Sequence, residues 1–285
     1  STGSNRAGIT HARLPPTPSP ESHRWRLPSG RMQEERFQPI DDTPPSNALT
    51  IASSSQPTLH LTEWPFDVTI AMLVQADHTI EIDSHHLVEL IERASALGVR
   101  KIRTGALRAT SAQRVLAQGF DVIDTLALLS FDLSQPIPHR RESSRIQPLR
   151  RRHYEQAEAV DLDAFGPKWA QHRNALRDTR QATLHSRSRR VSGDNEPVIG
   201  FALSGYTNDL GYLQRLAVSP SHSGRGIGWS LSCDALRWME QRGCERVLVN
   251  TSVQNSAALR LYERIGFSEL PEQLTIAEIE MDFPK

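Results

Sequence analysis

At 285 residues, 38% of them hydrophobic, the chain is long enough to bury two modest cores, which places it in the globular class. Its 33 basic and 33 acidic residues cancel, so no global field draws it to nucleic acid or to an anionic membrane, and neither is expected as a partner. The two cysteines, Cys233 and Cys244, are too few for a disulfide framework and have no ligand-spaced neighbours, so no metal is expected.

Residues 1–57 are rich in Pro, Ser, Thr and Arg, as in Leu14-Pro15-Pro16-Thr17-Pro18-Ser19-Pro20, and sustain no period of 2 or 3.6. A disordered leader is expected there, and it is set aside from fold reasoning. The first methionine is Met32, and the segment lacks the charged, apolar and small-residue order of a secretory signal. No run approaches the ~18 apolar residues of a membrane span, so a cytoplasmic setting is expected.

Residues 58–133 read as a small α/β unit. Asp67 to Val74 has the texture of a strand. Leu87, Leu90, Ile91, Ala94 and Leu97 mark a helix over His85 to Leu97 that Gly98 ends. Lys101 to Thr104 predicts a second strand, Ser111 to Gln118 a second helix and Thr125 to Leu133 a third strand. Pro, Ser and charged residues make 134–144 a linker.

The second unit, 145–285, opens with a strand over Arg145 to Leu149 and helices over Tyr154 to Phe165 and Trp169 to Asp178. Two strands, Thr183 to Arg190 and Val198 to Tyr206, are joined by the turn residues Ser192 to Pro197. A strand at Gly211 to Val218, a helix at Gly226 to Gln241, a strand at Arg246 to Thr251, a helix at Ser256 to Ile265 and a strand at Leu274 to Phe283 complete it. The fold class is α/β (α+β), a mixed sheet with helices on both faces.

The most informative segment is Leu216-Ala217-Val218-Ser219-Pro220-Ser221-His222-Ser223-Gly224-Arg225-Gly226-Ile227-Gly228. A strand runs through a Pro-bounded turn and feeds three glycines into a helix N-terminus, whose free N–H groups and positive dipole end suit a phosphate. Gly-x-Gly-x-Gly alone is equally a glycine-rich turn without a ligand. No Gly-Lys-Ser/Thr follows, which removes a Walker loop, and the context does not suit a Rossmann fingerprint.

With its loop Ser223-Gly224-Arg225-Gly226-Ile227-Gly228 after Leu216, Val218 and Pro220, the sequence resembles the GNAT (Gcn5-related N-acetyltransferase) superfamily. It departs from that family's pattern at Ser223, where Gln or Arg is usual. Downstream, Asn255, Ala258, Leu261, Tyr262, Gly266 and Phe267 stand at the marked positions of the family's second signature, N-x-x-A-x-x-L-Y-x-x-x-G-F. The resemblance spans about Arg145 to Lys285. It implies acetyl-CoA as cosubstrate, held by the loop residues Ser223 to Gly228, by the backbone of Leu216, Ala217 and Val218, and by Asn255 and Tyr262. Arg225 would compensate for Ser223.

Acyl transfer from a thioester needs a neutral amine, a stabilised oxyanion and an acid for the departing thiolate. The resemblance assigns the oxyanion to the Leu216–Val218 backbone and the acid to Tyr262, whose ordinary pKa of ~10 lies above a thiol's ~8.5. The base is open. The strand position twelve residues before the tyrosine, often Glu in relatives that acetylate protein N-termini, is Asn250, which leaves Asp209, Glu196 or a water chain. Arg150-Arg151-Arg152 has the charge for an acidic acceptor or a CoA phosphate, but is read first as a solvated helix entrance.

Superposing Gly119-Phe120 on Gly266-Phe267 aligns the first unit with the second, putting Arg108 opposite Asn255 and Val115 opposite Tyr262. Residues 58–133 therefore read as a degenerate GNAT-like half without cofactor binding, or as an unrelated α/β unit. The expected activity is N-acetyl transfer to an amine of a small molecule or a protein, with an oligomer left open. The alternative is an acetyl-CoA-binding or scaffold protein without turnover.

Overall fold

The computed structural model describes residues 50–52, 59–64, 67–75, 80–139, 145–192 and 197–281. Eleven strands form one sheet: β1 (Thr50–Ala52), β2 (Leu59–Trp64), β3 (Asp67–Gln75), β4 (Lys101–Thr104), β5 (Asp121–Asp132), β6 (Ile146–Pro148), β7 (His185–Ser192), β8 (Val198–Thr207), β9 (Leu210–Val218), β10 (Arg246–Ser252) and β11 (Ser268–Glu280). Among the described residues six α-helices accompany them: α1 (Ser84–Ala96), α2 (Ala109–Leu116), α3 (Tyr154–Phe165), α4 (Arg173–Gln181), α5 (Ile227–Glu240) and α6 (Ser256–Ile265). Within the stretch expected to be a leader, β1 pairs antiparallel with β2 through Thr50 and Thr62; residues 1–49 lie outside the described residues.

The strand order is β1-β2-β3-β4-β11-β5-β10-β9-β8-β7-β6. Two five-element runs, β3-α1-β4-α2-β5 and β9-α5-β10-α6-β11, follow the same path. In each, two strands pair in parallel around a helix. The last strand of each run is exchanged: β11 pairs with β4, and β5 pairs with β10, both antiparallel. β5 and β11 pair with each other at the centre, from Ser268 opposite Ser130 to Glu278 opposite Asp121. Residues 58–133 and 145–285 thus share one continuous sheet.

Alternation along the strands sorts the helices onto faces. Ala127, Leu129 and Phe131 of β5 meet Leu231, Leu236, Met239 and Ile265 of α5 and α6 in the largest core. Leu87, Leu90 and Val115 of α1 and α2 cover Leu61, Leu73, Ile102 and Ala277 on that same face. On the opposite face α3 and α4 pack Ala157, Val160 and Leu176 against Phe201, Leu203 and Ala217. Leu126, Leu128 and Leu274 also lie on that second face, with Leu248, Leu270 and Ile276 against them.

α2 and α6 end alike. Gly119 (φ 87°) and Gly266 (φ 111°) turn each chain out of its helix, and the next residues, Phe120 and Phe267, are buried. The amide of Phe120 donates to the carbonyl of Val115 and that of Phe267 to Tyr262, so Val115 and Tyr262 hold corresponding places. Arg108 and Asn255 likewise occupy the two N-caps. Residues 136–139 of the linker lie along α5, where Arg237 donates to the Pro138 carbonyl and Trp229 Nε1 to that of His139; residues 140–144 are outside the described set.

Candidate active site

β9 and β10 pair for only three residues, Leu210, Gly211 and Tyr212 with Arg246, Val247 and Leu248. Beyond Tyr212 and Leu248 the strands part, and a wedge opens between Leu213–Val218 and Val249–Ser252. Gln214 is an extra residue in β9 relative to β8, where Leu203 pairs with Arg215 but Ser204 with Leu213. A bulge of this kind bends the strand and drives such divergence. The edge of β9 that faces the wedge therefore presents main-chain N–H and C=O groups to any extended partner.

The mouth of the wedge is the glycine turn. Ser219 continues the pairing by donating to Ile199, and His222 and Ser223 close a tight turn onto Ser219 and Pro220. Gly224 (φ 76°) and Gly226 (φ 82°) then take left-handed conformations. Gly226 is the N-cap of α5, and its carbonyl accepts from Ser230, so the N–H groups of Ile227 and Gly228 precede the first bond within the helix and point out of its end. Those groups and the helix dipole form an anion-receptive end. Ser223, Gly224 and Arg225 are exposed there.

The other expected site residues divide. Leu216 and Val218 line the α5 side of β9: a Cβ on Gly228 would stand 3.8 Å from Val218, 3.9 Å from Leu216 and 3.2 Å from Leu261 of α6, so this glycine sets how closely α5 approaches α6. Ile227 is buried against Gly200 of β8. Ala217 faces the opposite way, into the core under α3. Asn255 caps α6, its Oδ1 accepting from the amide of Ala258 at 3.1 Å. Tyr262 is 4% exposed, with its ring 5.4 Å from that of Phe267. Burial pushes its phenol pKa up, against an opposing influence from the positive charge of Arg215.

Of the two expected acids, Asp209 stays at the closed end of the wedge. Asp209 sits in the turn before β9, where its carbonyl accepts from Glu245. It precedes the paired residues Leu210 to Tyr212, and the nine residues of β9 separate it from the glycine loop. Glu196 lies outside the described residues. Asn250 is exposed on the face away from α5, since Val247 and Val249 on either side of Leu248 point into the α5 core. Arg150 and Arg152 line a concavity with Arg145, His153 and Arg190 at the β6–β7 edge, separated from β9 by β8.

Sequence reasoning missed four residues on or behind the strands of the wedge. Tyr212 occupies the last paired position of β9, half-buried, with burial raising its phenol pKa against the charge of Arg108. Asp124 of β5 accepts from Ser252 Oγ at 2.8 Å, at the end of β10. Arg215 leaves β9 toward α3 and donates through Nε and Nη2 to Asp161, at 2.8 and 2.7 Å. Asp161 is 0% exposed. A carboxylate inside the apolar stripe of α3 was a readable signal for that pair; Asp124 carried none, because its neighbours come from the far half of the chain.

Residues 149–267 match the model of the Acetyltransferase (GNAT) family. They form a GNAT-family domain. Over 82 residues the chain is 34% identical to N-alpha-acetyltransferase 30 of Schizosaccharomyces pombe, covering 27% of this chain and 55% of that relative. Over 57 residues it is 42% identical to N-alpha-acetyltransferase 30 of Saccharomyces cerevisiae, covering 20% of this chain and 32% of the relative. The chain thus spans about half or less of the length of the curated relatives it matches. Among solved structures, a tandem GNAT protein from the clavulanic acid biosynthesis pathway superposes with a TM-score of 0.57 at 13% identity, over 80% of this chain and 79% of that one. That likeness of fold extends beyond the GNAT-family domain into the N-terminal half. Among the described residues no helix is long and apolar enough to cross a membrane, and no group of His, Cys, Asp and Glu is arranged to hold a metal.

Proposed function

We propose that the GNAT domain is an acetyl-CoA-dependent N-acetyltransferase whose acceptor is a primary amine, foremost the α-amine of a peptide or protein. The observation that carries this reading is the wedge between β9 and β10 with a glycine turn at its mouth. The names of the relatives, which match over the same domain, support the α-amine. A small-molecule amine is the competing acceptor.

In this reading the N–H groups at the start of α5 receive the pyrophosphate, and the free edge of β9 from Leu216 to Val218 receives the pantetheine arm as a sheet receives another strand. The same edge donates to the oxyanion that forms on the thioester carbonyl. Tyr262 gives a hydrogen bond and its proton to the thiolate as the C–S bond breaks, and the proton that the amine nitrogen sheds on forming the amide restores the phenol. Because burial raises its pKa, Tyr262 stays protonated across the physiological range, as a donor must. In the same reading residues 58–133 are a GNAT-like half that completes the sheet and leaves the cofactor to the other, which the β5–β11 pairing supports.

Calorimetry with acetyl-CoA tests the cofactor, with binding expected at micromolar concentration; no heat at millimolar concentration overturns the reading. Thiol release with peptide and small-molecule amines tests turnover and acceptor class. Ser223 in the loop and Asn250 in place of an acid favour a second reading, an acetyl-CoA-binding protein without turnover, which binding without thiol release from any amine would establish.

A further inference from the structure

The segment between α3 and α4, residues 166–172, is fastened by two arginines from different parts of the sheet. Arg215 of β9 donates to the carbonyl of Trp169 at 2.9 Å, and Arg103 of β4 donates through Nη1 to the carbonyl of Lys168 at 2.8 Å. Each arginine is itself held. Arg215 pairs with Asp161, which also accepts from the amide of Gln171 at 2.6 Å, and its guanidinium lies 3.8 Å from the centre of the Phe165 ring. Arg103 is 6% exposed and binds Glu278 of β11 through Nε and Nη2. Its guanidinium lies 4.4 Å from the Trp64 ring and 5.3 Å from the Trp169 ring, one from each half of the protein.

Between β4 and β9 in the sheet order lie β11, β5 and β10. The segment fastened at both sides thus spans the face that carries Leu126, Leu128, Leu274 and Asn250, the face onto which the wedge opens opposite α5. Arginine is an expensive choice for a buried strand position, since its charge must be matched by Glu278 and its remaining donors satisfied. Its planar fork does what no apolar residue and no lysine can: two donors engage a carboxylate while a third reaches a backbone carbonyl.

We propose that Arg103, in the half without a glycine turn, is a positioning residue for the acceptor side of the reaction. It holds the Lys168–Trp169 backbone as a roof over the path by which the amine reaches the wedge. This rests on the reading of the wedge as an acyl-transfer site. The N-terminal half then serves acceptor binding and leaves acetyl-CoA to the GNAT domain.

The informative variant is R103K in the full chain, which keeps a cation beside Glu278 and loses the fork. Steady-state kinetics should give a KM for the amine raised about tenfold, with kcat and the KM for acetyl-CoA within twofold of wild type. Independently of turnover, trypsin should cleave after Lys168 several-fold faster, because that peptide bond is no longer pinned. An unchanged amine KM together with unchanged cleavage overturns the proposal, as does a parallel loss of acetyl-CoA affinity. Should R103K lose its cooperative melting transition, Trp64→Leu keeps the ion pair, removes one stacking plane and is expected to move both readouts the same way. If wild type neither binds acetyl-CoA nor releases thiol, the acyl-transfer reading fails on its own, while the cleavage rate still reports whether Arg103 pins Lys168.

Discussion

The two halves trace the same five elements, yet only one forms a wedge. β3 and β4 pair along the whole of β4, from Ile70 with Lys101 to Leu73 with Thr104, and Gly105 adds a further bond to Leu73. β9 and β10 stop pairing after three residues of a seven-residue strand. The first strand pair is zipped shut. Its link to the next helix, Gln75 to Asp83, contains no glycine, and Val115 stands where α6 has Tyr262. A shared topology therefore carries no site by itself; the bulge at Gln214 and the left-handed turn at Gly224 and Gly226 make the difference.

The largest effect is expected where the GNAT domain commits a buried charge. Asp161→Asn leaves Arg215 without its carboxylate and should cost about 3–5 kcal/mol in denaturant unfolding, the usual penalty for breaking a buried pair. The same change at Asp83, an exposed N-cap of α1 in the other half, should leave the denaturant midpoint nearly unchanged, as Asn caps a helix nearly as well. Comparable losses at both sites would break the contrast.

Tyr262→Phe should lower kcat about hundredfold with acetyl-CoA affinity nearly intact, a typical loss for one positioned acid. Val115→Ala, at the corresponding place, should cost about 1–2 kcal/mol of stability from lost burial and leave kcat unchanged. Gly226→Val forces a branched residue into φ 82° at the mouth of the wedge and should weaken acetyl-CoA binding about tenfold by calorimetry, from a strain of about 1–2 kcal/mol. Gly98→Val imposes a similar φ at the end of α1 and should lower the melting temperature alone.

The smallest effect concerns the two thiols. Burial raises Cys233 to about 11 and pushes Cys244 up as well, with Asp209 adding to the latter. Both should resist thiol reagents at pH 8 in the folded protein and react after unfolding. Since the folded thiol of Cys233 ionises later than the unfolded one, its contribution to stability is full below the ordinary thiol range. That contribution fades as the pH rises toward 11, which denaturant midpoints between pH 8 and 11 would register.

Much of the local structure was legible in sequence. β4, α3 and α6 run between the residues expected, because caps and apolar spacing are local signals. α4 begins at Arg173 rather than Trp169, since Trp169 and Gln171 are committed to Arg215 and Asp161 and His172 becomes the cap by accepting from Ala175. β11 begins at Ser268 rather than Leu274 because β5 supplies its partner from Ser130 onward. The glycine turn was legible in its own residues, whereas Asn255 and Tyr262 were singled out by the family resemblance. The roof and Asp124 were not legible, because Arg103 and Arg215 stand 65 and 46 residues from the carbonyls they bind and Ser252 stands 128 from Asp124, and no periodicity records such a meeting.

The central β5–β11 pair also dictates an order of events. Thr125 meets Thr275, so β5 leaves the ribosome long before either strand that will flank it exists. Until β10 and β11 arrive, both its edges are open templates for any passing strand, including the same strand of another nascent chain. High contact order of this kind slows folding, which must wait for β10 and β11. A brief need for chaperone cover is thus written into the exchange of strands that joins the two halves.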